Sequence, residues 1–424
     1  MDQNTSILII GAGTFGLSTA YHLAKEGGYG KITVLEKSSS IPPDLSAAND
    51  LNKIVRAEYE DPFYTGLALE AIREWQTSDL FAPYFHQRGY LLCTSPAAPE
   101  KTRRTLAKSL ASISSHPCFR DQIKPIESRD DIQRVAPVFD GPMAWSGYFN
   151  RLAGYAHSAD ALRAIHKACL SLGVDVQLGI EVKSLLMSGN GSLCIGVKTD
   201  GGREYRADRT VLALGASLPG VLPSAGKQMS AKAWSVGHIE LTAEEAASLR
   251  GIPVTYARDL GFFFEPDPAT KLLKICPAGG GYTNFKCLES SGPNVSIPVA
   301  DNAWIPAQDE AKIRRLLRDT LPGLADRSIV LAKLCWCMDT ADSEYVIDSV
   351  PGLKNLVIAG GDSAHAFKML PIMGRWVREL LERGGLQTEE RWRWKEGENS
   401  TADISWRTGE TMDLKDVRLA KAVL

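Results

Sequence analysis

The chain has 424 residues, with 48 Lys and Arg against 50 Asp and Glu and a formal net charge of −2. That balance offers no electrostatic footing for nucleic acid, and no run of about 18 apolar residues is present to cross a bilayer. The length exceeds what one simple core accommodates and implies two domains.

Residues 1–38 read strand, helix, strand. The apolar run Ile7-Leu-Ile-Ile10 has the pattern of a buried parallel strand. It lacks a basic stretch before it and ends in a glycine turn, so it reads as a strand and not as a signal peptide. Gly11 permits the tight turn, Gly13 lets a pyrophosphate approach the backbone, and Gly16 lets the helix pack on the strand. Thr14 and Phe15 open that helix, whose free N–H groups and positive dipole end suit phosphate. A second apolar run closes on Glu36, 20 positions after Gly16, the spacing of a carboxylate that accepts from ribose hydroxyls. Lys37 follows it. The ordered set of strand, helix, strand and acid is far more specific than a lone glycine motif.

The stretch from Ser38 through Asn52 to Lys53 is polar and turn-rich, a loop expected to cross over the bound cofactor. A helix is expected from Asp61-Pro62 to Trp75, since Pro62 suits a first turn and Leu67, Leu69, Ile72 and Trp75 recur at helical spacing. Gly89–Thr94 reads as a strand, and residues 95–145 as part of a second domain. Ala161–Leu172 reads as a helix with Ser158 as its cap. Strand-like runs follow at 174–178, 181–186 (including Val182) and 194–199. Residues 207–217 form another buried strand that ends in a turn at Gly215-Ala216. It has the form of the second dinucleotide-contact strand in flavoproteins of the glutathione-reductase type. Residues 225–333 alternate as a sheet that covers the active face would. Residues 335–383 return to the first domain and carry Cys335, Cys337, Gly361, Asp362, Phe367 and Lys368. The charged end, 390–424, with Trp392, Trp394 and Trp406, is expected to wrap the surface. The eight cysteines are scattered and read as buried thiols, not as a disulfide framework. No metal motif is evident.

Several segments together resemble the sarcosine oxidase family of FAD-dependent amine oxidases, and most closely its fungal amadoriase (fructosyl amino acid oxidase) branch. They are Asn49-Asp50-Leu-Asn52-Lys53-Ile54, Trp234-Ser-Val-Gly-His238, Gly261-Phe-Phe-Phe-Glu-Pro-Asp267, Lys274-Ile-Cys276, Gly281-Tyr-Thr-Asn284, Cys335-Trp-Cys-Met-Asp-Thr340 and Phe367-Lys368-Met-Leu-Pro371. The resemblance implies a two-domain α/β fold, with a glutathione-reductase-type FAD-binding Rossmann domain and a mixed or antiparallel β-sheet substrate domain. Segments 1–88, 150–224 and 335–424 would form the first, and 89–149 and 225–334 the second.

The resemblance also implies roles. Cys335 is similar to the cysteine that bonds covalently to FAD; Cys337 is the competitor, but the interval from Cys335 to Asp348 suits the family better. Lys274 resembles the lysine that assists oxygen, where a fixed cation in a dry site favours the anion that forms. Lys368 and Arg56 resemble the pair that clamps a substrate carboxylate, for which the arginine fork is suited. Lys53 resembles a residue beside the flavin in amadoriases. A departure matters: Pro277-Ala278-Gly279-Gly280 replaces the branch's Asp-Glu-His-Pro, so the glutamate that contacts sugar-bearing substrates is missing. An N-substituted α-amino acid therefore fits better than a fructosyl amino acid.

The expected activity is oxidation of a CH–NH bond with O2 as acceptor, giving an imine and H2O2. The alternatives are an amadoriase, a saccharopine- or pipecolate-type oxidase, and an oxidase of N-methyl aromatic amino acids whose imine closes a ring. A flavin dehydrogenase and a non-enzymatic dinucleotide binder are the rival classes. No nucleic-acid or membrane partner is expected, and the chain is expected to be a monomer. The location is expected to be cytoplasmic; a peroxisome is the alternative, though Ala422-Val-Leu424 is not a Ser-Lys-Leu-type address.

Overall fold

The computed structural model describes residues 1–288, 294–395 and 409–417. Trp406 and the terminal Ala422-Val-Leu424 lie outside the described residues. Among the described residues no helix is long and apolar enough to cross a membrane.

The fold is a two-domain α/β arrangement. Its first sheet has six strands in the order Val346–Ser349, Leu356–Gly360, Arg209–Leu212, Ile7–Ile10, Ile32–Glu36 and Asp175–Leu178. Every pairing is parallel except that between Val346–Ser349 and Leu356–Gly360. Ile9 lies opposite both Val211 and Val34, so the strand of the glycine turn is central. Both of its faces are covered, which is why it is apolar throughout.

Helix Thr14–Lys25 packs over this sheet, and helix Met373–Glu382 packs on it at a glycine. A Cβ on Gly374 would lie 1.9 Å from the Ser18 carbonyl oxygen. The Ser18 hydroxyl donates to the Leu370 carbonyl at 2.7 Å and accepts the Gly374 N–H at 2.9 Å.

The larger sheet contains ten strands. At its centre Met229–Glu240 pairs antiparallel with Leu272–Pro277 on one side and Val330–Thr340 on the other. Gly261–Phe263, Val254–Ala257, Tyr90–Thr94 and Ser146–Asn150 extend it. Strand Val330–Thr340 carries Cys335 and Cys337 to the junction with the first sheet. A small sheet places Lys53–Val55 beside Gly154–Ala156.

Helix Pro62–Thr77 stands where expected, and Asp61 caps it by accepting the Phe63 N–H. Ser158 is not the cap expected of it. It lies inside helix Ser158–Ser171, whose N-cap is His157, and its hydroxyl donates to the Asp50 carbonyl at 2.8 Å. Residues 225–333 are not all strand, because Ala307–Thr320 is a helix that buries Ile313, Leu316, Leu317 and Thr320 along one edge. Glu100–Ser114 is a further helix in the region that composition left unassigned. Trp392 does not lie on the surface: it is buried and donates to the Tyr64 hydroxyl at 3.1 Å.

Candidate active site

Gly11 has φ +103°, and a Cβ there would lie 2.4 Å from the Ala213 carbonyl oxygen, so only glycine fits this turn. Helix Thr14–Lys25 begins at Gly13 with no side-chain cap, which leaves its first N–H donors for a bound anion. Gly16 meets the turn itself, where a Cβ would lie 1.8 Å from the Gly11 carbonyl oxygen. The buried Glu36 carboxylate is oriented by two backbone donors, Ala12 N–H at 2.8 Å and Ser38 N–H at 2.9 Å.

These groups line a cleft of about 410 Å³. Gly11, Gly13, Thr14, Phe15, Glu36 and Lys37 form one side of it. Lys53, Val182, Gly215, Ala216, Asp362 and Phe367 complete it. Gly16, Asn52 and Gly361 do not line it. Asn52 instead gives its carbonyl to Lys274 at 2.6 Å, and Gly361 forms a left-handed turn at φ +70°. Trp336 lines the cleft with a buried indole N–H that has no partner among the described residues. The bare helix start, the fixed acid and this spare donor fit a dinucleotide such as FAD.

A second cavity, of about 180 Å³, adjoins the cleft and shares Lys53, Cys337, Ala364 and Phe367 with it. Arg56, Lys274, Cys335 and Lys368 all line this cavity, so the remaining sequence-derived candidates converge on one place. Lys274 lies opposite His238 in the sheet register and is 1 % exposed. Its ammonium donates to Asp50 at 2.6 Å, and Lys53 donates to the same carboxylate oxygen at 2.8 Å.

Burial acts to raise the Asp50 carboxyl, but Lys274 and Lys53 hold it well below the usual carboxylate range. Burial pulls Lys274 down, with Asp50 opposing. On Lys53 burial is overcome by Asp50 and Cys335, and its ammonium is held well above the ordinary value. Lys53 also lies 3.6 Å from the Cys335 sulfur. The Cys337 thiol donates to Cys335 and, with Lys53, brings the Cys335 thiol below its ordinary value; the same bond and burial push Cys337 up. Cys335 is therefore the sulfur with thiolate character.

Lys368 donates to the Tyr59 hydroxyl at 3.0 Å and to the His365 carbonyl at 2.8 Å. Burial, and then the charge of Arg56, bring it well below the usual lysine range. Tyr59 lies under both cations, with the Arg56 guanidinium 5.0 Å and the Lys368 ammonium 5.3 Å from its ring centre. His365 bonds Tyr59 and Tyr345 through Nδ1, at 3.1 and 3.0 Å, so it positions this wall. His238 is held by burial down at about 4, and its Nδ1 faces the Leu331 carbonyl. His157 stands apart, edge-on to the His86 ring.

Sequence reasoning passed over Asp50, Tyr59, Trp336 and Arg258 as site residues. The signal for Asp50 was present: two buried lysines require a buried counter-ion, and it is the acid of the motif that holds Lys53.

A mononucleotide turn and fixed ribose acid that open onto a buried, cation-lined chamber define a flavin-dependent oxidoreductase. The chain belongs to the FAD dependent oxidoreductase (DAO) family, whose model matches residues 6–380. It is 34% identical over 443 residues to the L-saccharopine oxidase of Schizosaccharomyces pombe, with 98% of each chain covered. It is 25% identical over 383 residues to the human peroxisomal sarcosine oxidase, covering 88% of this chain and 91% of the relative. Among solved structures, the fructosamine oxidase of Aspergillus fumigatus (Amadoriase II) superposes with a TM-score of 0.90 at 33% identity, covering 99% of this chain and 97% of that one.

Proposed function

We propose that this chain is an FAD-dependent oxidase of a secondary amine that carries a carboxylate, with Cys335 as the covalent attachment point for FAD. The observation that carries the reading is the junction of the two cavities, with Arg56 and Lys368 on the wall of the smaller one. The substrate carboxylate docks between the Arg56 guanidinium and the Lys368 ammonium. That contact holds the CH–NH bond at the mouth of the dinucleotide cleft. Tyr59 and the His365 carbonyl aim Lys368, so little rotamer freedom remains to be lost on binding.

FAD, when bound, supplies the two-electron acceptor and passes the pair to O2. In balance, the CH–NH unit loses two electrons and two protons, and O2 takes up both as H2O2. Water then splits the imine into a carbonyl compound and an amine. Lys274 places a buried positive charge where negative charge develops on oxygen, held there by Asp50 and the Asn52 carbonyl. Tyr90, Tyr256, Phe262, Phe264 and Trp234 wall the cavity and keep water from it.

On the same reading, segments 1–88, 150–224 and 335–424 form the cofactor domain and lend Arg56 and Lys368 to the substrate, while 89–149 and 225–334 form the substrate domain. Ala278 lines the cavity where amadoriases carry the sugar-contacting glutamate, which speaks against a fructosyl substrate. The test is a peroxide-coupled screen of sarcosine, pipecolate, saccharopine, N-methyl aromatic amino acids and fructosyl-valine, with O2 uptake in parallel. Peroxide in equal amount to O2 with a carboxylate-bearing secondary amine is expected. Turnover with an artificial acceptor but no O2 uptake would make the chain a dehydrogenase.

A further inference from the structure

One wall of the smaller cavity is a glycine-rich turn that follows strand Leu272–Pro277. Pro277, Ala278, Gly279 and Trp234 line the cavity there. The turn is gripped from several sides. The Trp234 indole N–H donates to the Gly279 carbonyl at 2.9 Å, and the Lys312 ammonium donates to the Ala278 carbonyl at 2.9 Å. From outside, the Thr411 hydroxyl donates to the Gly280 carbonyl at 3.0 Å, and the Met412 N–H donates to the Gly281 carbonyl at 3.1 Å.

The outer grip belongs to a strap at residues 409–417. Met412–Asp413 pairs parallel with Tyr282–Thr283 and forms the edge strand of the larger sheet. Gly280 is the seat of the strap. A Cβ there would lie 2.4 Å from the Glu410 carbonyl carbon and 2.6 Å from the Gly409 carbonyl oxygen. Met412, Leu414 and Val417 pack on a cluster that includes Tyr282, Ala216 and Trp336. Ala216 and Trp336 also line the dinucleotide cleft, so this one segment backs both chambers. Its hold is nevertheless slight. The pairing is two residues long, and Gly409, Glu410, Thr411, Lys415 and Asp416 are exposed. A short, solvent-facing pairing of this kind opens before the core strands do.

We propose that residues 409–417 are a clasp that sets the working size of the substrate cavity. Seated, the strap holds the Ala278–Gly281 turn inward and limits the group that a carboxylate ligand carries beyond the Arg56 and Lys368 clamp. Lifted, it lets the turn move out and admits a longer group. The inference rests on the oxidase reading for the statement that this group is the substituent on the substrate nitrogen. The clasp itself is readable without turnover.

The test uses the full-length holoenzyme and two variants. Gly280→Ala puts a methyl group where the strap lies, and Thr411→Val removes the hydroxyl grip at nearly constant shape. Hydrogen exchange at the Met412 amide should quicken about tenfold in Gly280→Ala and by a smaller factor in Thr411→Val. The rise in melting temperature caused by linear carboxylates, from acetate to octanoate, should stop growing at a definite chain length in the parent. Both variants should move that limit to longer chains. In turnover, kcat/KM for N-hexylglycine relative to sarcosine should rise in the same order as the exchange rates. Should Gly280→Ala fail to fold, Thr411→Val carries each comparison. Exchange unchanged in the folded variants, no length limit in the parent, or faster exchange with an unchanged limit would overturn the clasp. A longer limit in melting without oxidation of any glycine would keep the clasp and remove the oxidase reading.

Discussion

Replacement of Asp50 by Asn tests the electrostatic centre of the site. The carboxylate is buried and lies 2.6 Å from the Lys274 ammonium and 2.8 Å from that of Lys53. At an effective dielectric near 20, each such pair attracts by about 6 kcal/mol before desolvation is charged against it. Desolvation costs several kcal/mol per ion, so removal of the shared partner should cost about 3–5 kcal/mol.

The pH dependence follows from the direction of the Asp50 shift. Its carboxyl is held well below the unfolded value, so its stabilisation is complete above the ordinary Asp range near pH 4 and fades as pH falls below it. Urea unfolding of the parent and Asp50→Asn holoproteins, from pH 7 down to pH 3, reads this directly. The stability gap should hold steady from pH 7 to about pH 5 and narrow below about pH 4. Equal urea midpoints at pH 7, or a gap that widens on acidification, would refute the shared-counter-ion account.

Cys335→Ala should lose the yellow colour from an acid-precipitated pellet while Cys337→Ala keeps it; the reverse pattern would move the tether to Cys337. Arg56→Ala should raise KM for carboxylate-bearing amines by about 2 kcal/mol or more, roughly 30-fold, through loss of a desolvated charge partner, and an unchanged KM removes Arg56 from the clamp. Lys368 is held below the usual lysine range by burial and by Arg56, and a docked carboxylate favours its charged form, so binding should take up a proton. Calorimetry in two buffers of different ionisation enthalpy should show that uptake, and Lys368→Met should eliminate it. Because unfolding also releases Lys368 to its higher ordinary value, the parent gains stability as pH rises between the folded and unfolded values, and Lys368→Met should lack that gain.

The cofactor half was legible because each of its requirements is local. A turn at Gly11, a helix start at Gly13 and an acid at Glu36 follow one another within a single strand–helix–strand unit, so spacing alone locates them. The partners that complete the chamber come from distant strands. Nothing near Tyr256-Ala-Arg258 announces that this arginine lines the same cavity as Arg56, because the link is a parallel pairing of Val254–Ala257 with Tyr90–Cys93. The helix Ala307–Thr320 was misread for a different reason. Its buried Ile313, Leu316, Leu317 and Thr320 recur at helical spacing, but charged residues crowd the positions around them and the runs on either side alternate as strands do. Ser158 has the chemistry of a cap, but the Asp50 carbonyl competes for its hydroxyl and wins. Tertiary contacts override local preference there, and in doing so they tie down the loop that carries the counter-ion.

The seam between Ser18 and Gly374 makes two tasks share one frame. The helix that presents its bare start to the pyrophosphate is stapled, through the Ser18 hydroxyl, to Leu370 and Gly374. Leu370 ends the same short turn as Lys368, whose own carbonyl is gripped by the Trp75 indole at 2.7 Å. A disturbance of the first helix at Ser18 therefore reaches the turn that carries Lys368, so the nucleotide cleft and the lysine share one support.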